Sequence, residues 1–183
     1  VAPIHCEDVY GIMGENFTFT VKMDQKPREI MWTKDKDKVA EWEWQNKTTY
    51  YTSLRNRGLL NSENGYLTIF NLENNDTGTY ELYYWYSAEI NYVLTFRLAV
   101  LAPPSEPEIS CNISGDDLVL KCTADFPKSL NYAWKLGSTP VTHQAPEVFI
   151  PKKKVDTSEK ATCFIKVSQT EKSSEISLAQ CFP

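Results

Sequence analysis

Five cysteines are spread unevenly along the 183 residues: Cys6 stands alone in the first hundred, while Cys111, Cys122, Cys163 and Cys181 all follow residue 110. No two of them have the two-residue spacing of a zinc knuckle or a thioredoxin motif, so disulfides are expected, in one of three connectivities. Cross-linking of that kind belongs to an oxidising compartment. The sequons at Asn16, Asn46, Asn75 and Asn112 agree, because N-glycosylation takes place on the same secretory route. An extracellular glycoprotein is therefore expected, stabilised in two different ways along its length.

A formal charge of -5 and 42% hydrophobic residues disfavour both disorder and nucleic-acid binding. The best apolar run, Tyr92 to Ala102, is short and interrupted by Arg97, too little to span a bilayer. Val1 opens without methionine, a basic head or an apolar run, as a mature or trimmed fragment would. Pro103, Pro104 and Pro107 stiffen the chain and remove strand donors, which places a domain boundary there: residues 1–102 and 103–183. Aromatic usage changes at the same point, from four Trp, nine Tyr and four Phe before it to one, one and four after it. The first module also carries most of the acidity, -4 against -1.

Short alternating or apolar runs, Phe17 to Val21, Glu29 to Thr33, Tyr66 to Phe70 and Val93 to Val100, read as strands. Turn residues separate them at Ser114 to Asp117, Asn61 to Gly65 and Glu73 to Asp76. The fold class is all-β, a sandwich or barrel in each module. In the second module Trp134 lies twelve residues after Cys122, and Cys163 forty-one after it. That spacing resembles an immunoglobulin domain, which implies a Cys122–Cys163 bridge beside a buried Trp134. Cys111–Cys181 would then tie the first strand to the last, each bridge contributing on the order of 3 to 5 kcal/mol. Ala161 stands where such domains carry a tyrosine, so a truncated constant-type sandwich is expected.

The first module holds the converse set. Trp32 follows Val21 by eleven residues, and Asp76-Thr77-Gly78-Thr79-Tyr80 places a tyrosine two residues before Leu82. Val21 and Leu82 occupy the cysteine positions of a variable-type domain, so the bridge is absent and the aromatic surplus compensates. Tyr80 is expected to bond back to its preceding turn and Asp76 to lie within reach of Arg57. The alternative is that both charges are ordinary surface residues.

A bridgeless variable-type domain before a doubly bridged constant-type one resembles the ectodomains of the lymphocyte adhesion (signalling-lymphocyte-activation) family of the immunoglobulin superfamily. Residues Trp32 to Glu43, Arg55-Asn56-Arg57 and Leu67 to Leu72 carry the detailed similarity. The resemblance implies a cell-surface adhesion ligand, anchored through sequence outside this chain, that binds a T-cell adhesion receptor of the same family. Contact is made by strands G, F, C and C′ of domain one, with domain two as a membrane-proximal spacer. Position by position it implies receptor contacts from Glu29, Lys34, Lys36, Asp37, Lys38, Glu41, Tyr51 and Arg55. Tyr83 to Asn91 departs from the pattern at strands F and G, which leaves the receptor choice of a glycolipid-anchored relative as an alternative. A soluble decoy and a homophilic adhesion molecule are the others, the last disfavoured by like charge.

Alternating charge from Lys34 to Lys38, with Glu41 and Glu43 on one strand face, suits charge pairing, which sets specificity and association rate more than affinity. Without the resemblance, a solvated turn is the simpler reading. The run Tyr83 to Tyr86 is too aromatic for both faces of a strand to be core, so Tyr84 or Tyr86, whichever faces out, is a candidate contact, unless it packs on Trp42 or Trp44. Lys152 to Lys154 reads as a solvated loop. His5 and His143 are the only histidines and no hydrolase, zincin or phosphate-loop motif occurs, so neither enzyme activity, cofactor nor metal is expected. Cys6 is left over, free to pair between chains, to take a small thiol cap or to be buried.

Overall fold

Period-two alternation of apolar residues resolves, in a computed structural model that describes residues 5–89 and 91–183, into sixteen strands and four short 3-10 turns. No α-helix occurs among the described residues, and none of their helices is long and apolar enough to cross a membrane. Val1 and Ile90, the latter within the stretch Tyr83 to Asn91, lie outside them. The chain divides into two compact units, Val1–Ala102 and Pro103–Pro183.

Unit one contains β1 (His5–Ile12), β2 (Phe17–Phe19), β3 (Glu29–Lys34), β4 (Asp37–Glu43), β5 (Thr49–Tyr50), β6 (Gly58–Leu60), β7 (Leu67–Ile69), β8 (Gly78–Trp85) and β9 (Asn91–Leu101). They form a six-stranded sheet, β1-β9-β8-β3-β4-β5, and a three-stranded sheet, β2-β7-β6. The inner faces close on Phe19, Trp32, Leu67, Ile69, Tyr80 and Leu82, all fully buried. Strand β2 stops at Phe19, two residues short of the expected end, and Val21 packs only partly against the core. The space beside Trp32 is filled by aromatic rings instead: Phe19 lies 5.1 Å from Trp32 and 4.8 Å from Tyr80, and Phe96 lies 5.7 Å from Trp32. The indole N–H of Trp32 donates to the Gly65 carbonyl at 3.0 Å, which satisfies its one polar atom inside the core.

The corner before β8 is a closed hydrogen-bond set. Tyr80 donates its hydroxyl to the Asp76 carbonyl at 2.6 Å. Arg57 grips the Asp76 carboxylate with two bonds, at 3.0 and 2.9 Å, and that carboxylate also accepts the Glu73 N–H at 2.8 Å.

Unit two contains β10 (Glu108–Ser114), β11 (Asp117–Thr123), β12 (Asn131–Leu136), β13 (Thr139–Pro140), β14 (Glu147–Pro151), β15 (Lys160–Val167) and β16 (Thr170–Ser177). One sheet runs β10-β11-β14, the other β13-β12-β15-β16. Cys122–Cys163 joins the two sheets, with Trp134 in register opposite Cys163 and its indole N–H donating to the Ala145 carbonyl at 2.8 Å. Cys111–Cys181 ties β10 to the 3-10 turn Leu178–Cys181 beyond β16, rather than to a strand. Ala161 is fully buried opposite Leu136 and Ile176, so a small apolar residue fills that corner.

Candidate functional site

A β-bulge decides which charges share a surface. Trp32 pairs with Ala40 and Thr33 with Lys38, which leaves Val39 as an extra residue on β4. Val39 and Ala40 are both buried as a result, and the alternation beyond them is shifted by one. Lys38 and Glu41, three residues apart, would face opposite sides of a regular strand. Here they share the outer face of the six-stranded sheet and pair at 3.1 Å.

The hairpin before the bulge is equally specific. Asp35 and Lys36 both take positive φ, 48° and 75°, as a two-residue turn of the type favoured between twisted strands requires. Asp35 is used up by the turn, its carboxylate accepting the Thr79 N–H at 2.9 Å and its own N–H donating to the Thr79 carbonyl. Lys36 reaches across to Glu81 of β8 at 2.6 Å, and Tyr83 donates its hydroxyl to the other oxygen of Glu81 at 2.9 Å. Tyr51 donates its hydroxyl to Glu41, so two networks lie side by side: Lys36–Glu81–Tyr83 and Lys38–Glu41–Tyr51. Thr33 sits in register between Glu81 and Lys38, 5% exposed, with its hydroxyl unpaired.

Below these networks Glu29 of β3 stands between Glu43 of β4 and Trp85 of β8. With Met31 and Glu41 they line a hollow of about 160 Å³. Acid thus collects at one end of the face and paired charges at the other. Asn46, a sequon residue, lies at its edge, with Nδ2 3.3 Å from Glu43.

The eight expected contact residues do not all converge. Glu29, Lys36, Lys38, Glu41 and Tyr51 meet on the outer face, with Asp37 exposed where β4 begins. Lys34 diverges, donating its ammonium to the Asn75 carbonyl at the end of the strand. Arg55 caps the 3-10 turn Thr52–Leu54 and is exposed, with no bond into either network among the described residues. The expectation that Tyr84 or Tyr86 faces out is corrected. Tyr84 is buried and stacks on Tyr92 at 5.1 Å, while Tyr86 packs edge-on against both rings and its hydroxyl accepts the Asp24 N–H. Tyr83 and Trp85 are the outward members. Trp42 is buried, whereas Trp44 is 46% exposed under Lys26 and Arg28, whose cationic groups lie 5.7 and 5.3 Å from its ring.

Glu81, absent from the expected contacts, proves central. A readable signal pointed to it: with Tyr80 and Leu82 inward, period two sends positions 81, 83 and 85 out.

The hydrogen bond from Tyr51, and then Lys38, holds the Glu41 carboxyl below the ordinary glutamate value of 4.5. Lys36, and then Tyr83, does the same for Glu81. A depressed folded-state value means that the stability these groups contribute is complete above the unfolded value and is lost as pH falls through the folded one. The unfolding midpoint is expected to hold from about pH 7 to about pH 5 as far as these groups are concerned, and to drop below about 4.5. A pH series of thermal unfolding checks it. The drop should be shallower in Glu41→Gln and Glu81→Gln, and an unchanged acid slope in both would show that the networks contribute nothing.

Cys6 is exposed on β1. No group of three or more His, Cys, Asp or Glu is placed to hold a metal ion among the described residues.

No family model matches the chain. A comparison with curated proteins finds human lymphocyte function-associated antigen 3, 27% identical over the whole of this chain and 76% of the relative. Among solved structures, the CD2-binding domain of CD58, the same antigen, superposes with a TM-score of 0.51 at 24% identity, covering 94% of this chain and 96% of that one. The first immunoglobulin-like domain of human CD48 antigen does so with a TM-score of 0.52 at 21% identity, covering 60% of this chain and 93% of that one. The solved CD58 domain is described as the one that binds CD2, and the site described above is a charged sheet face. Across its full length the chain is similar to lymphocyte function-associated antigen 3, and its all-β, doubly bridged fold is immunoglobulin-like.

Proposed function

We propose that this chain is the ectodomain of a cell-surface adhesion ligand whose first domain binds an immunoglobulin-like receptor of the CD2 kind on lymphocytes. Unit one is variable-type and binds; unit two is constant-type and acts as a spacer between the binding face and a membrane anchor outside this chain. The face is the outer side of β9, β8, β3 and β4, which correspond to strands G, F, C and C′ of such domains. The observation that carries this reading is the bulge at Val39, which gathers Lys36–Glu81 and Lys38–Glu41 on one exposed surface beside the acidic hollow at Glu29 and Glu43.

The mechanism follows from the networks. Lys36, Lys38, Glu41 and Glu81 are already paired within the face, so their side chains are held in place before a partner arrives. A receptor with the opposite pattern exchanges ion pairs with them rather than creating pairs from water-solvated charges. Desolvation offsets much of each gain, so binding is fast and salt-sensitive but weak. Trp85 and Met31 provide apolar area at the hollow, where tryptophan is a frequent energetic anchor.

Surface plasmon resonance over immobilised CD2 ectodomain tests the proposal. Glu41→Lys is expected to weaken binding by about tenfold or more, equivalent to ~1.4 kcal/mol. Lys34→Glu, directed away from the face, should stay within about twofold, and raising ionic strength should slow association. Equal losses in both variants, or binding only to another ectodomain of this kind or to itself, would overturn the face or the partner respectively.

A further inference from the structure

The outward side of the three-stranded sheet in unit two carries an apolar row with a sequon at its end. In register, Asn112 of β10 pairs with Val119 of β11, and Val119 pairs with Phe149 of β14. Residues directly opposite one another in an antiparallel ladder share a face. The neighbouring row on the other face, Ile113–Leu118–Ile150, lies toward the core, with Leu118 fully buried and Ile150 nearly so. Asn112, Val119 and Phe149 therefore all point away from the core. Asn112 is exposed, and Phe149 is 61% exposed. The rows on either side are polar or charged except for Pro151: Ser110–Lys121–Glu147 on one flank, Ser114–Asp117–Pro151 on the other.

We propose that an N-linked glycan on Asn112 lies across Val119 and Phe149 and covers this face of unit two. The inference rests on the reading of the chain as a glycoprotein of the secretory route. Three features support it. Phe149 is two strand spacings from Asn112, about 10 Å, a reach that the first two sugars of an N-glycan span. An N-acetylglucosamine ring has an apolar C–H face and an acetyl methyl suited to an aromatic ring, whose face is electron-rich. The flanking Ser, Lys, Glu and Asp side chains offer partners to the sugar hydroxyls, so the glycan meets apolar surface along its middle and polar groups at its sides. The occupant is covalently attached to the row it covers, so no second molecule has to be recruited.

The experiment uses the whole chain secreted from glycosylating cells, with Asn112→Gln, Phe149→Ser and the double variant beside it. Phe149 is solvent-exposed, so its replacement leaves the core intact. Mass spectrometry of tryptic peptides reads occupancy at Asn112. Thermal unfolding reads the coupling: loss of the glycan should lower the midpoint of unit two by about 4 °C when Phe149 is present, and by less than half that in Phe149→Ser. In material trimmed to one N-acetylglucosamine, NMR should record cross-relaxation between the acetyl or ring protons of the sugar and the Phe149 ring. An unoccupied Asn112, equal midpoint losses in both backgrounds, or an absence of sugar-to-Phe149 contacts would each overturn the proposal. So would concentration-dependent self-association of the occupied glycoform that Phe149→Ser abolishes, because a second copy would then be the occupant. Receptor binding by the same preparations reports on the adhesion reading independently, since Asn112 lies in unit two and the proposed receptor face in unit one.

Discussion

Replacing Arg57 by alanine is expected to destabilise unit one by about 3–5 kcal/mol, the loss associated with leaving a buried charge without its partner. Asp76 is 1% exposed, and its carboxylate is held by the two guanidinium bonds and by a single backbone donor from Glu73. Arg57 also donates to the carbonyls of Phe70 and Asn71, at 3.3 and 3.2 Å, so it ties the end of β7 to the corner that positions β8. A side chain only 19% exposed holds these groups in fixed geometry, unlike the flexible ion pairs of an open surface. Against a total stability of about 5–15 kcal/mol for a domain, such a loss is a large fraction. Urea unfolding followed by tryptophan fluorescence would report mainly on unit one, which holds four of the five tryptophans. Arg57→Ala/Asp76→Ala should be less damaging than the sum of the single changes, because the double variant removes the orphaned charge. A loss below about 1 kcal/mol in Arg57→Ala would reduce the pair to a surface contact.

The corner was legible because its elements are local: an aspartate four residues before a tyrosine, on a turn that needs both. The pairing of four cysteines was legible for a related reason, since the tryptophan between Cys122 and Cys163 marks a level in the core as well as a spacing. The charged face was legible only in part. Lys34, Lys36 and Lys38 alternate in sequence as if they shared one side, but a two-residue turn and a bulge intervene. Which of them face together depends on where the extra residue sits, and nothing in a run of Lys and Asp marks Val39 as that residue. Glu81 and the outward Tyr83 and Trp85 needed no such knowledge. Tyr80 and Leu82 already set the parity of β8, and the aromatic run obscured it because all four rings look equally suited to a core. The early end of β2 depends on its partner: Phe19 pairs with Leu67, the first residue of β7, and Gly65 before it turns away at a φ of 79°, so Val21 has no ladder to join.

That difference between the units leads to the second large effect. Cys122→Val/Cys163→Leu, which gives unit two the residues unit one carries at the corresponding positions, is expected to destabilise unit two by about 3–4 kcal/mol. A bridge across a sequence separation of 41 restricts the unfolded chain by about 4 kcal/mol in the chain-entropy account. The added methyl groups return part of it, at ~0.8 kcal/mol per buried CH₂. They also enter a fully buried site shaped for two sulfurs beside Trp134, and overpacking of that kind costs about 1–3 kcal/mol. Unit one lacks a bridge but surrounds Trp32 with Phe19, Phe96 and, next to Phe19, Tyr80. Unit two has one Tyr and four Phe in all, so its core has fewer large rings with which to do the same. Differential scanning calorimetry of the variant should record one transition falling steeply while the unit-one transition stays in place. If unit two keeps its midpoint, packing around Trp134 alone sustains the fold. The bridge would then be a safeguard against reduction or mechanical load, not a condition of stability, and the two units would rest on the same physics despite their different residues.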